Sequence, residues 1–283
     1  MRRRPSARAL ELADGVWGHR KRAGRAAPEH WTGPQNQMTK ILLVCRRELA
    51  SMCGGPLAWI LAAVFLLLTG YFFYSDLALF VLVGGANQTR GLWRFVFLDF
   101  RLVALLVVPL VTMRLFAEER KQGTLELLWT FPVRDGEVLA GKVLAALALY
   151  LGMLAATAVG PALLYALHPF AVAPVLAGYA GLVLLGVAFV ACGAAASTVS
   201  ENQVVSAMLA YGVLVFAWFA TWNEAAIGAR IAPALLQLSL FDHFYGFAQG
   251  VIDSRDVVYL LAFAALFLFL AHRSLGARAW RGL

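Results

Sequence analysis

Between Lys142 and Glu201 the chain runs for 58 consecutive residues without a single Lys, Arg, Asp or Glu. A helix needs only about 20 apolar residues to cross the hydrocarbon core of a bilayer. The whole 283-residue chain follows the same trend, since 61% of its residues are hydrophobic, 14% are charged and its mean hydropathy is +0.73. These values exclude a soluble enzyme and indicate a polytopic, all-α membrane protein.

Prolines divide the long uncharged run into two crossings. His168-Pro169 and Pro174 stand near its middle, and a proline interrupts a helix because it lacks the backbone N–H. The run therefore predicts a helical hairpin with a tight external turn. Its two arms are about Val143 to Leu167 and Val175 to Thr198.

Other uncharged runs predict further spans. The first, Gly54 to Ser75, has 22 residues, which rise roughly 33 Å as a helix. Asn202 to Asn223 is a similar run, and Arg273 can extend the short run from Val257 to His272 because its side chain reaches the interface. Together with a second span, the six predicted spans are about 54–75, 95–116, 143–167, 175–198, 202–223 and 257–273.

The second span carries charge. Only 12 residues between Arg101 and Arg114 are uncharged, so a crossing must extend from about Phe95 to Phe116 and must include Asp99 and Arg101. An arginine at mid-bilayer costs about 2.5 to 3.5 kcal/mol. Two interpretations follow: an ion pair at the outer end of the helix, or a polar lining of a conduit formed by Asp99 and Arg101.

The segment before the first span divides at Met38. Residues 1–37 carry eight Arg or Lys residues among Gly, Pro and Ala, and no apolar signal sequence follows them. This composition predicts a basic, disordered cytoplasmic extension, although translation could also begin at Met38. From Thr39 to about Met52, apolar residues alternate at near-helical spacing with a polar side that includes Glu48. We expect an amphipathic helix on the inner membrane face, and a charged flank of the first span is the alternative.

The distribution of basic residues predicts the orientation. Residues 1–53, the loop 114–142 and the tail from Arg273 hold 19 of the 24 Lys and Arg residues. Cytoplasmic segments of inserted proteins are enriched in these residues. Both termini are therefore predicted to be cytoplasmic. The external segment 224–256 contains an apolar stretch that predicts short helices dipping back into the outer leaflet.

Motifs for chemistry are weak. Gly136 to Lys142 fits the GxxxxGK pattern, but Val143 follows where a nucleotide-binding loop needs Ser or Thr, and the stretch leads into a membrane helix. The three cysteines and five histidines are scattered and indicate no metal site or disulfide framework. We predict no catalytic residue, no bound cofactor and no nucleic-acid partner.

A family resemblance rests on the cytoplasmic loop. The stretch FAEERKQGTLELLWTFPVRDGEVLAGK, residues 116–142, closely resembles the loop between spans two and three of type-2 ABC transporter permeases. Residues 197–216 and 239–280 look like the gliding-motility-type branch of that family. The similarity covers residues 38–283 and leaves the first 37 residues outside.

The resemblance implies that the loop forms a coupling helix that docks on a separate ATP-binding subunit. Thr124 can cap this helix, Gly123 allows the turn before it and Pro132 ends it. An apolar stripe would make the contact, although it could also rest on lipid. The residues expected at this coupling site are Glu118, Glu119, Gly123, Thr124, Leu125, Glu126, Leu128, Trp129 and Pro132.

The resemblance further implies the transmembrane subunit of an ABC transporter, with no catalytic residue of its own. Its expected partners are an ATP-binding subunit that binds the ATP, a second permease subunit, identical or related, and the lipid bilayer. Arginine outnumbers lysine 20 to 4, which indicates a GC-rich bacterial genome and hence a bacterial inner membrane. The alternatives are a permease half of a multi-component cell-surface machine, or an integral membrane enzyme built around Asp99, Arg101 and His243.

Overall fold

The computed structural model describes residues 37–82, 89–121, 135–219 and 239–279. The described residues from Lys40 onward belong to one compact unit, and the predicted extension 1–37 lies outside the described residues except for Gln37. Every regular element in the described ranges is helical. The helices are α1 (Gln37–Gly54), α2 (Pro56–Leu82), α3 (Thr89–Thr112), α4 (Arg114–Lys121), α5 (Asp135–Thr157), α6 (Val159–Leu167), α7 (Val172–Val199), α8 (Gln203–Phe219), α9 (Leu240–Ala248) and α10 (Ser254–Ala279).

Five helical stretches in the described residues are long and apolar enough to cross a membrane. They are Pro56–Leu82, Gly91–Arg120, Asp135–Leu167, Val172–Val199 and Ser254–Gly276. A shorter apolar helix, Gln203–Trp218, lies where the fifth of the six spans was predicted. The prediction of a polytopic, all-α protein is confirmed.

The helices extend beyond the uncharged runs that predicted them. The first span was expected to end at Ser75, but α2 continues through Asp76 to Leu82. Likewise α5 begins at Asp135, well before Val143. Uncharged runs mark only the part of a helix that fits the hydrocarbon core, because charged residues are tolerated where the helix reaches the interface.

The second span passes directly into α4. Pro109 lies inside α3, yet the helical path continues because the Met113 amide donates to the Pro109 carbonyl at 2.9 Å. The Thr112 hydroxyl adds a bond to the Val108 carbonyl at 3.1 Å. Gly91 to Arg120 therefore forms one 30-residue apolar stretch that includes the predicted range 95–116.

The predicted hairpin is present. Its first arm is interrupted between α5 and α6 at Ala158, and its turn follows α6 at His168, whose backbone is extended. Its second arm is α7, the central helix of the bundle, which packs against α3, α5, α8, α9 and α10. The fully buried Tyr150 side chain crosses from α5 and donates to the Leu182 carbonyl at 3.0 Å. Its ring occupies the space that a side chain at Gly186 would fill, so this glycine sets the distance between the two arms.

The bundle has two ends that matter for function. At one, which we call the α1 end, α1, α4 and the first turns of α5 meet, and the C-terminal part of α10 reaches Gly136 with the His272 ring. At the opposite end, α9 packs against the beginning of α10, where His243 contacts Asp256. The short helix α9 lies in segment 224–256, which was predicted to be external and to contain such helices.

Candidate functional site

Lys142 lies at the centre of the α1 end and joins three helices. Its Nζ is 3.1 Å from Glu48 Oε2 on α1 and 2.9 Å from Glu119 Oε1 on α4. The Phe116 ring lies 5.4 Å from the same nitrogen. The lysine side chain is only 2% exposed, and we call Lys142, Glu48 and Glu119 the Lys142 cluster.

The cluster couples its three helices electrostatically. A lysine taken out of water is costly unless it is paired, and here two carboxylates supply the pairing. The Glu48 and Glu119 side chains are 16% and 21% exposed, so both are shielded but still reach solvent. Losing the lysine would leave two neighbouring carboxylates that repel each other, whereas losing one carboxylate would leave the other pair intact.

Gly141 brings α1 close to α5. A Cβ added at Gly141 would lie 2.6 Å from Val44 Cγ1 and 3.2 Å from the Ile41 carbonyl oxygen. Only glycine leaves this space free, so α1 can lie close enough for Glu48 to reach Lys142. The Gly-Lys pair that mimics a nucleotide-binding loop therefore has a structural role in this chain.

Helix α4 connects the second span to the loop beyond it. Arg114 and Glu118 form a one-turn ion pair with contacts of 2.8 and 3.2 Å, and both side chains are about one third exposed. Leu115, Phe116 and Ala117 are buried against the bundle. Glu118 and Glu119, which the resemblance assigned to ATPase coupling, thus engage residues of their own chain, Arg114 and Lys142.

The other predicted coupling residues lie outside the described part of the chain. Residues 122–134 separate α4 from α5. The predicted residues in that interval are Gly123, Thr124, Leu125, Glu126, Leu128, Trp129 and Pro132. The two flanks of the interval are described, and Glu119 on one flank bonds to Lys142 on the other.

Arg101 is buried in a cage of aromatic rings. Its Cζ lies 4.3 Å from the centre of the Trp218 ring, 4.0 Å from Phe241 and 5.6 Å from Phe244. The residue is 5% exposed, and within the described residues its Nε and Nη1 have no hydrogen-bond partner. The cage therefore stabilises the cation through ring faces and joins α3 to α8 and α9.

Asp99 lies two residues before Arg101 on α3 and belongs to a group of charges on α2, α3 and α9. Asp99 and Asp242 lie within electrostatic range of the Arg101 guanidinium, and Asp76 of α2 lies within range of Asp99. Asp99 is partly buried. The two predicted conduit residues of α3 therefore lie near acidic side chains of α2 and α9. Their role as a conduit lining stays a prediction.

Polar contacts hold α9 at the opposite end. His243 Nδ1 lies 2.7 Å from Asp256 Oδ1, and the His243 ring stacks on Tyr259 with centres 3.9 Å apart. Arg94 Nη1 donates to the Tyr245 hydroxyl at 3.4 Å. His243, one of the three residues considered for enzyme chemistry, therefore engages Asp256 and Tyr259 of the last span.

The site could be read from the sequence only in part. The coupling loop was predicted from its resemblance and stays a prediction, and Glu48 was assigned to the polar side of the amphipathic helix. In the structure it faces Lys142. In the sequence Lys142 has the position of an ordinary interface anchor at the start of a span, so its burial and its pairing with Glu48 left no signal there.

The chain was compared with known proteins. Residues 42–271 match the family described as ABC-2 family transporter protein, which covers well over half of the chain. No curated protein matches the chain. Proteins of this family are polytopic, all-α transport subunits, which agrees with the membrane-spanning helices. The chain is therefore a multi-pass membrane component of the ABC-2 transporter family, a permease subunit rather than an enzyme.

Proposed function

We propose that the chain moves a substrate across the membrane by coupling to ATP hydrolysis on a separate ATP-binding subunit. Family membership supports the transport role. The observation that carries the coupling role is the Lys142 cluster, because it joins both flanks of the 122–134 interval to α1. The partner subunit binds and hydrolyses the ATP, and the purified chain alone is expected to bind none.

In the proposed mechanism, the segment from Gly123 to Pro132 docks on the ATP-binding subunit. When two such subunits close on ATP, they push this segment, and the push reaches α4 and α5 directly through the chain. Lys142 passes it on to α1 through Glu48. Because these contacts are short and shielded, the α1 end moves as one body while the spans rock between inward-facing and outward-facing states.

The proposed setting is a bacterial inner membrane with both termini in the cytoplasm. The enrichment of Lys and Arg around the α1 end supports this orientation. Two permease subunits, identical or related, would enclose the conduit. The proposed branch is the gliding-motility type, on the resemblance of residues 197–216 and 239–280. A permease half of a cell-surface machine would use the same coupling site.

The docking proposal is tested by copurification with the native ATP-binding subunit. Leu128→Asp places a charge in the proposed apolar contact, and loss of an interface anchor costs about 2 kcal/mol or more. Recovery of the ATP-binding subunit should therefore fall about thirtyfold at limiting concentration. Arg255→Glu, an exposed charge change at the opposite end, is the control and should leave recovery unchanged.

Salt dependence separates docking from misfolding. Glu126→Lys should weaken association more at low salt than at high salt if the glutamate faces a basic partner surface, because ions screen exposed charges. If both variants insert, retain full ATPase association and still support transport, the 122–134 interval is not the coupling element. In a separate experiment, lipid analysis or transport assays of the complex copurified with the native ATP-binding subunit would address the identity of the substrate.

A further inference from the structure

Helix α1 has two different long faces. One faces the bundle and contains Val44, which packs on Gly141, and Glu48, which pairs with Lys142. The other, which we call the outward face, consists of Leu42, Leu43, Arg46 and Arg47. All four of its residues are exposed, and the two leucines are 59% and 57% exposed. Two exposed leucines beside two arginines are typical of a helix that lies in the membrane interface, not of a helix surface that faces water.

The position of α1 indicates what covers this face. The helix ends at Gly54, and only Gly55 separates it from the membrane-spanning helix α2, which begins at Pro56. Trp59, in the first turn of α2, is 68% exposed, and its indole N–H donates to the Cys53 carbonyl at 2.8 Å. Exposed tryptophans mark the depth of the lipid headgroups. The C-terminal end of α1 therefore lies at headgroup level.

We propose that the outward face of α1 binds anionic phospholipids of the leaflet at the α1 end. Leu42 and Leu43 would enter the boundary of the acyl chains, and Arg46 and Arg47 would bind lipid phosphates through paired N–H donors. Charge complementarity selects this occupant, since both ionisable groups on the face are arginines and the only carboxylate in the same two turns, Glu48, is engaged by Lys142 on the other side.

The proposal gives α1 two anchors on opposite sides. Lipid phosphates hold Arg46 and Arg47, and Lys142 holds Glu48, the next residue in the chain. Any effect of lipid charge on transport rests on the proposed coupling function. Lipid binding itself does not, and it can be measured without an ATP-binding subunit.

The test uses the full chain in detergent, titrated with phosphatidylglycerol or phosphatidylcholine and followed by native mass spectrometry. The wild-type chain should bind phosphatidylglycerol in preference. Arg46→Gln with Arg47→Gln should lower the phosphatidylglycerol affinity about thirtyfold, since each basic residue near an anionic surface contributes about 1 kcal/mol. Arg255→Gln, at the opposite end, is the matched control and should have no effect.

Two further variants make the outcome decisive. Arg46→Lys with Arg47→Lys should retain most of the preference because it keeps both charges, which excludes simple misfolding as the cause of a loss. Equal affinity of the wild-type chain for both lipids, or an unchanged phosphatidylglycerol affinity in the glutamine variant, would overturn the proposal. So would a glutamine variant that binds the lipid normally but no longer copurifies with the ATP-binding subunit, since the face would then belong to that partner.

Discussion

Gly141 and Val44 lie so close that a methyl group on the glycine would sit 2.6 Å from Val44 Cγ1. The contact fixes the spacing between α1 and α5, and it stands next to the ion pairs of Lys142 along the chain. Apolar packing and charge pairing therefore hold the same two helices at adjacent positions. The two can be tested separately.

Gly141→Leu should force α1 away from α5. Overpacking of this kind destabilises a protein by about 1 to 3 kcal/mol, so the detergent-solubilised chain should melt at a lower temperature in a size-exclusion assay. Gly152→Leu is the control, because nothing lies within 4 Å of a Cβ at that glycine. Gly141→Ala is a smaller change than Gly141→Leu and should lower the melting temperature less. Adding Val44→Ala to Gly141→Ala should recover part of that loss, because it removes Val44 Cγ1 from the contact. Equal melting of the Gly141 and Gly152 variants would show that the approach is not tight.

Lys142→Met should be the most damaging single change at the α1 end. It removes the cation between two shielded carboxylates, and breaking one partner of a buried ion pair costs about 3 kcal/mol or more. Unfolding in mixed micelles, monitored by circular dichroism, measures this loss. Combining Lys142→Met with Glu48→Gln and Glu119→Gln should recover much of the stability, because no uncompensated charge remains.

The matched control for Lys142 is Arg114. Its ion pair with Glu118 is about one third exposed and lies within one helix, so Arg114→Ala should cost no more than about 1 kcal/mol. If Arg114→Ala lowered the free energy of unfolding as much as Lys142→Met, the burial of Lys142 would not explain the stabilisation by its ion pairs.

Arg101→Met should loosen α9 from α3 while keeping a side chain of similar length in the cage. A desolvated cation over aromatic faces contributes about 2 kcal/mol. A double-mutant cycle with Phe241→Leu measures this contribution as a free energy of unfolding. The effects of the two changes on that free energy should be non-additive by about 2 kcal/mol. The cycle of Arg101→Met with Phe269→Leu should be additive, since Phe269 lies on α10 beside Arg273.

The orientation is tested with reporters fused to the C-terminus. An alkaline phosphatase fused after Leu283 should be inactive in bacteria, and a fluorescent protein fused there should fold, because the tail is predicted to be cytoplasmic. An active phosphatase would contradict both the predicted six-span topology and the proposed cytoplasmic position of the coupling loop.

The spans could be predicted because lipid leaves few options. An uncharged run of about 20 residues must form a helix if it is to satisfy its backbone in a membrane. The uncharged run 143–200 therefore predicted two arms, which the structure forms as the C-terminal part of α5 with α6, and as α7. The second arm begins at Val172, so Pro174 lies in the first turn of α7 rather than in the turn before it. The predicted edges were too short, as at Ser75, because the sequence does not show how far a helix continues past the hydrocarbon core.

The interior of the α1 end could not be predicted in the same way. Glu48 has the same helical spacing as a solvent-facing charge, and only the three-dimensional path of α5 brings Lys142 beneath it. Arg101 was recognised as unusual, but its partners Trp218 and Phe241 lie more than a hundred residues away along the chain. Contacts between distant segments leave no periodic pattern in a single sequence.

The stoichiometry of the Lys142 cluster has an evolutionary consequence. One lysine pairs with two glutamates on two different helices. Either glutamate can therefore be replaced by a neutral residue in evolution while the other still neutralises the lysine. The lysine has no such substitute. Among descendants of this chain, positions 48 and 119 should therefore vary one at a time, and position 142 should change only where both acids have already been lost.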